Sequence, residues 1–331
     1  MRETIDNARG QHNFLVRHEE WLEEQERDHQ NMVPKIAERV GASFPVKYMP
    51  SGYLEDNHFI SPVYESGEYQ GQPLDRYIIR ADEHEVFGGD VLGTHSGKYP
   101  ERDGYKHIYE TLEGLFPNSC ENVTMFGAGE RVVVEQVLDE PFDLGEGDTI
   151  QPFIYTRMSL NGVWKTEIIP VQKRISCENM LGNAGGIVGV RATKNHDDIL
   201  TMKAQVLDVS MRQARTLQNM ARVLKDQEFT DMQFMNMVQA LVPPLPQDAP
   251  SRAVTNRNKK IAVIGNTWRE EKEEWGASNK WLAYNAVQGA EQHFINANYK
   301  AEQCENFEKS FAKALDGKTP LARGALEYLS S

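Results

Sequence analysis

Cysteine is scarce in this chain: Cys120, Cys177 and Cys304 are the only three in 331 residues. They share no metal-ligand spacing, and an odd count gives no even disulfide framework. That excludes a disulfide scaffold and fits a reducing, cytoplasmic setting. No apolar run approaches the roughly 18 residues of a membrane span, so no membrane partner is expected. The N-terminus, Met1 to Asp6, lacks the apolar stretch of a secretory signal. There is no internal repeat, no P-loop and no full dinucleotide fingerprint. No cofactor is therefore expected.

Positive charge is also short: 36 Lys/Arg stand against 49 Asp/Glu, a net −13. On average that disfavours a polyanionic partner. The average hides a gradient. Residues 1–150 carry 13 basic against 30 acidic side chains, residues 151–225 carry 11 against 5, and the remainder 12 against 14. Segregation of this kind separates a binding face from a solvated one. Its bland reading is a long exposed helix that uses arginine.

Periodicity divides the chain into an N-terminal helical arm (1–41), an α+β core (42–242), a Pro-rich linker (243–258) and a C-terminal helical region (259–331). Residues 12–33 read as a charged helix, acidic around Trp21 and Leu22, that Pro34 breaks or restarts. Ile108, Tyr109, Leu112 and Leu115 predict a short helix over 105–116. Gly127-Ala-Gly129 separates two Val-rich runs as a hairpin turn.

The pair Asn161-Gly162 predicts a second hairpin with a two-residue type I′ turn. That register puts Phe153, Tyr155, Arg157, Ser159, Trp164, Thr166 and Ile168 on one face. Pro170 suggests a bulge or an edge position. Asn195 predicts an N-cap, with Asp197 and Asp198 in the first turn of a helix running to about 226. Leu200, Ala204, Leu207, Met211, Ala214, Leu217, Ala221 and Leu224 form its apolar stripe, and Arg212, Arg215 and Arg222 lie off it. Thr230 caps a shorter helix. Helices follow near 267–275, 279–296 (capped by Ser278) and 301–316. The expected fold is α+β: an antiparallel sheet from the 122–177 hairpins, packed by the 197–226 helix and C-terminal helices.

The box Arg174-Ile-Ser-Cys177-Glu-Asn179-Met-Leu181 follows the Gly162 strand pair. Then come Arg191-Ala-Thr193-Lys194, entering the long helix, and a late Trp281-Leu-Ala-Tyr284-Asn285-Ala286. In this order the segment from about 75 to 295 resembles the phage- and plasmid-encoded domain-of-unknown-function family DUF 932. The resemblance implies Arg174, Cys177, Asn179, Arg191 and Thr193 as family positions. It implies an association with mobile elements and recombination genes, but no activity. Ala192 replaces the family's usual His, which argues against catalysis or metal binding at that position.

Several chemistries compete. Lys165, Lys173, Arg174, Arg191, Lys194, Arg212, Arg215 and Arg222 can line a phosphate-tracking groove, with Phe153, Tyr155 and Trp164 as stacking surfaces. Aromatics on a hairpin face are more often core. Asp82-Glu83-His84-Glu85 is dense in metal ligands, but sequence neighbours do not all face one site, and His196-Asp197-Asp198 reads as a cap. Scattered carboxylates leave Mg²⁺ open. Cys177 reads as a buried thiol before a nucleophile. Gly182-Asn-Ala-Gly185-Gly186 reads as a connector before an anion nest.

The leading expectation is a non-enzymatic binder of single-stranded DNA or RNA, phage- or plasmid-encoded, cytoplasmic and homo-oligomeric, acting in recombination or annealing. The second is an assembly protein holding a phage or host protein through the acidic arm. The third is a metal-dependent enzyme.

Overall fold

The computed structural model describes residues 5–6, 12–13, 32–56, 58–98, 101, 103–138, 141–175, 179–181, 188–190, 198–299 and 304–331. The fold is α+β, with antiparallel sheets. The chain forms two compact units, and both are discontinuous in sequence.

The first unit comprises residues 1–138, 153–170 and 187–207. Val46–Pro50, Asp75–Arg80 and Val91–Ser96 make a three-stranded sheet. Cys120–Phe126 and Arg131–Val137 pair as the predicted hairpin. Gly127 and Gly129, at φ +64° and +103°, supply the left-handed backbone the turn requires. Residues 153–159 pair with the outer side of Arg131–Val137.

Helices Met32–Arg39 and Lys106–Leu115 pack here. Val33, Ile36, Tyr109 and Leu112 join Val123, Met125, Val132 and Val134 in one core. Pro34 lies within the described helix Met32–Arg39, which carries Ile36 as expected. The Glu113 carboxylate accepts from the Val33 and Asn118 N–H groups and ties the two helices together. Most of the predicted 12–33 helix falls outside the described residues.

The second unit comprises residues 139–152, 171–186 and 208–331. Its helices include the C-terminal part of Asp198–Lys225, then Asp231–Leu241, Ser251–Trp275, Lys280–Gly289, Cys304–Leu315 and Pro320–Ser330. A π-helical turn, Ala290–Ile295, continues Lys280–Gly289. Leu217, Ala221, Leu224, Phe234, Ile264, Trp268, Trp281 and Val287 belong to one core. Within it the rings of Phe234 and Trp268 stack at 4.5 Å.

Thr230 makes a full capping box with Gln233. Asn279, not Ser278, caps Lys280–Gly289, because Ser278 Oγ donates instead to Phe229 O. Ser251–Trp275 begins some 16 residues before the predicted 267. The Pro-rich stretch before it joins two helices of this one unit.

The predicted Asn161-Gly162 turn is not a two-residue one. Strands end at Ser159 and restart at Thr166. Only Gly162 of the pair has positive φ, +73°. Ser159 Oγ both donates to Trp164 O and accepts from Trp164 N, and Asn161 Oδ1 accepts from Val163 N. These local side-chain bonds hold a wider loop. Residues 150–158 of the same strand are all buried, so both of its faces are covered.

Pro170 stands where strand Thr166–Arg174 changes partners. Thr166 to Ile168 pair with Val188–Val190, and Gln172 and Lys173 pair with Met180–Leu181. The segment that joins these two partner strands, 182–187, lies outside the described residues.

Candidate nucleic-acid interface

The family box is built around a buried guanidinium. Arg174 is 0% exposed, and so is Asn179. Arg174 Nε donates to Asp148 Oδ1 at 2.6 Å and Nη2 to Asp148 Oδ2 at 3.2 Å. Nη1 donates to both oxygens of Glu271, at 2.9 and 2.7 Å. Asp148 Oδ2 also accepts from Trp281 Nε1 at 2.9 Å, and the guanidinium lies 4.9 Å from the centre of the Trp275 ring. Two carboxylates around one cation leave surplus negative charge in a dry setting. Burial accordingly raises the Glu271 pKa, against the pull of Arg174.

Asn179 extends the network. Its Nδ2 donates to Asn285 O at 3.2 Å, and its Oδ1 lies 3.1 Å from His293 Nε2. Met180 N donates to Gln292 Oε1, and Met180 O accepts from Gln288 and Gln292. The π-helical turn brings Gln292 and His293 to this short strand, and Gly289 keeps the approach close. A Cβ on Gly289 would meet Asn179 Oδ1 at 3.2 Å. The box and the Trp281-to-Asn285 element therefore meet through polar side chains inside the second unit.

The eight basic candidates divide. Arg174 and Lys173 are buried, and the Arg174 donors are turned to carboxylates. A guanidinium so placed is withdrawn from phosphate contact. Arg191 and Lys194 lie outside the described residues, as do Cys177, Thr193, Asn195 and His196. Lys165 is exposed in the first unit.

Arg212, Arg215 and Arg222 are exposed on Asp198–Lys225 in the second unit. At 3.6 residues per turn they fall within an arc of about 80° and span about 15 Å of helix. Leu217, Ala221 and Leu224 face the core from the other side. Met211, predicted in that apolar stripe, is exposed, and the Leu200, Ala204 and Leu207 side chains fall outside the described residues. Arg212 Nη2 pairs with Asp208, but in an exposed setting where such pairs contribute little.

The predicted stacking surface is absent. Phe153 and Tyr155 are core residues, and Tyr155 OH donates to Glu135 at 2.8 Å. Trp164 is half-buried beside the guanidinium groups of Arg131 and Arg157.

A family model described as a domain of unknown function (DUF932) matches residues 103–315. The chain belongs to this family. No curated protein and no solved structure matches it. The DUF932 segment takes in the whole Arg174 and Asn179 network and the arginine face of Asp198–Lys225.

The DUF932 segment also holds a basic face that the sequence did not single out. Arg252, Asn256, Lys259, Asn266 and Arg269 recur at helical spacing on the exposed side of Ser251–Trp275. No carboxylate interrupts them before Glu270. The signal was the acid-free run Ser251 to Lys260. Most of that run falls within the expected Pro-rich linker, 243–258, and the next helix is expected only near 267.

Elsewhere, titratable groups are absorbed structurally. Hydrogen bonds from Lys272 and then Trp268 hold the Asp231 pKa low. The Arg80 guanidinium holds Asp82 low, and His84 Nδ1 faces the Val86 and Phe87 N–H groups. The Asp82-to-Glu85 run is thus part of a turn. Burial raises the Cys120 thiol pKa. Among the described residues no group of three His, Cys, Asp or Glu is placed to hold a metal, and no helix is long and apolar enough to cross a membrane.

Proposed function

We propose that the chain binds the phosphate backbone of single-stranded nucleic acid through helix faces of its second unit. The observation that carries this reading is the exposed stripe Arg212, Arg215, Arg222 on a net-basic helix within an acidic chain. Arg252, Lys259 and Arg269 add a second basic face. With Phe153 and Tyr155 in the core, contact rests on charge rather than on base stacking at those rings. The proposed setting is recombination or annealing on a phage or plasmid, in the cytoplasm, by a non-enzymatic homo-oligomer.

The test is a polarisation titration of labelled single strands at several salt concentrations. Each phosphate contact on a single strand adds about −0.7 to the slope of log affinity against log salt, so three give about −2. Absence of salt-sensitive binding to DNA and RNA strands ends the proposal.

A second reading, protein assembly, is favoured by one feature of the first unit. Tyr53–Glu55 and His58–Ile60 form a separate two-stranded hairpin on which Tyr53, Leu54, Phe59 and Ile60 are all exposed, Leu54 to 74%. Such a hairpin is marginal alone in water and gains from a covering partner. Leu54→Asp with Phe59→Asp should change the particle mass seen by light scattering. An unchanged mass removes the hairpin as a self-contact.

A further inference from the structure

Among the described residues of the second unit, Gln172 Oε1, Ser210 Oγ and Gln213 Oε1 are three of the buried polar side-chain atoms that have no protein partner. Gln172 and Ser210 are in contact, and Gln213 is one helical turn on from Ser210. Gln172 Nε2 donates to Ser210 O at 3.5 Å, so the amide rests against that turn of helix. Ser210 and Gln213, three apart, share a helix face. Gln172 is 0% and Ser210 1% exposed.

Thr216, Thr255 and Thr267 each donate to the carbonyl four residues back, whereas Ser210 Oγ does not. Turning the Gln172 amide over offers no relief, because it would set its oxygen against Ser210 O.

We propose that these three atoms form the binding site of one internal water molecule. Buried polar groups are almost always paired, and the pairing required here is specific. Two amide carbonyls need donors, and one hydroxyl needs an acceptor. A water that donates to Gln172 Oε1 and Gln213 Oε1 and accepts from Ser210 Oγ–H meets all three demands. Three bonds is the usual number for a buried water. Carbonyl oxygens repel an anion, and three neutral oxygens without a carboxylate are a poor divalent-cation site. The water bridges strand Thr166–Arg174 and the turn bearing Arg212 and Arg215, and so fixes the roll of that helix. The inference stands independently of nucleic-acid binding.

The experiment is a crystal structure of the full chain at a resolution that shows ordered solvent, with water-to-amide magnetisation transfer measured in solution. A single round density peak about 2.6–3.2 Å from all three atoms is expected. Transfer from a long-lived water to the Gln172 and Gln213 side-chain amides is expected as well, and should be lost in Gln172→Leu. An empty site, direct bonding among the three side chains, elongated density of a larger ligand, or no transfer in the wild-type chain each overturns the proposal.

Discussion

Arg174 grips Glu271 end-on through a single nitrogen, Nη1, which donates to both carboxylate oxygens at 2.9 and 2.7 Å. Nε and Nη2 donate to Asp148, so Arg174 is the centre of a buried ionic cluster. Its contacts tie strand Thr166–Arg174 to helix Ser251–Trp275 within the second unit. That moves the search for ligand contacts outward, to the exposed helix faces.

Arg174→Met should therefore be a stability variant. It leaves Asp148 and Glu271 buried without their cation, and loss of one partner from such a cluster costs about 3–5 kcal/mol. Replacing Asp148 and Glu271 by apolar residues in the same chain should recover most of the loss. Urea unfolding midpoints check both outcomes. A loss under about 1 kcal/mol would contradict the burial of the cluster.

Local signals were legible in the sequence and distant ones were not. The Gly127-Ala-Gly129 hairpin, the Thr230 cap and the Leu217, Ala221, Leu224 stripe each depend on neighbours within a few residues. The fate of Arg174 depends on Asp148 and Glu271, which are 26 and 97 positions away, and no periodicity encodes that. The Asn161-Gly162 turn misled because Ser159 Oγ competes for the Trp164 backbone. Phe153 and Tyr155 look like half of an amphipathic strand, yet their strand is covered on both faces.

Arg212→Ala, Arg215→Ala and Arg222→Ala together should leave the fold alone and weaken the ligand. All three side chains are exposed, and such changes stay within about 0.5 kcal/mol each. Affinity for single strands should fall at low salt, and the salt slope should move from about −2 toward zero. An unchanged slope would place the contacts elsewhere, with Arg252, Lys259 and Arg269 the next set to remove.

Thr230→Ala should cost about 1 kcal/mol, because the Thr230 hydroxyl accepts from Gln233 N while Gln233 Oε1 accepts from Thr230 N. Thr230→Ser should recover most of it. Thermal unfolding of the two variants beside the wild type makes the comparison.

Glu291 predicts a pH dependence with a definite sign. Its carboxylate accepts from the Leu321 and Ala322 N–H groups at the start of Pro320–Ser330, but burial dominates and raises its pKa. A carboxyl whose folded pKa exceeds its unfolded value favours the folded state in its protonated form. That contribution is fully present below the unfolded value, about 4.3, and is lost as pH rises through the raised folded value. Burial raises the Glu271 pKa too, so it adds in the same direction. Glu291→Gln cannot ionise, and it keeps one acceptor for the helix N–H groups. The variant should thus gain stability relative to the wild type as pH rises from about 4 to 8. Paired urea titrations across that range measure the difference. A stability gap that stays constant with pH would show that Glu291 ionises as freely in the folded chain as in the unfolded one.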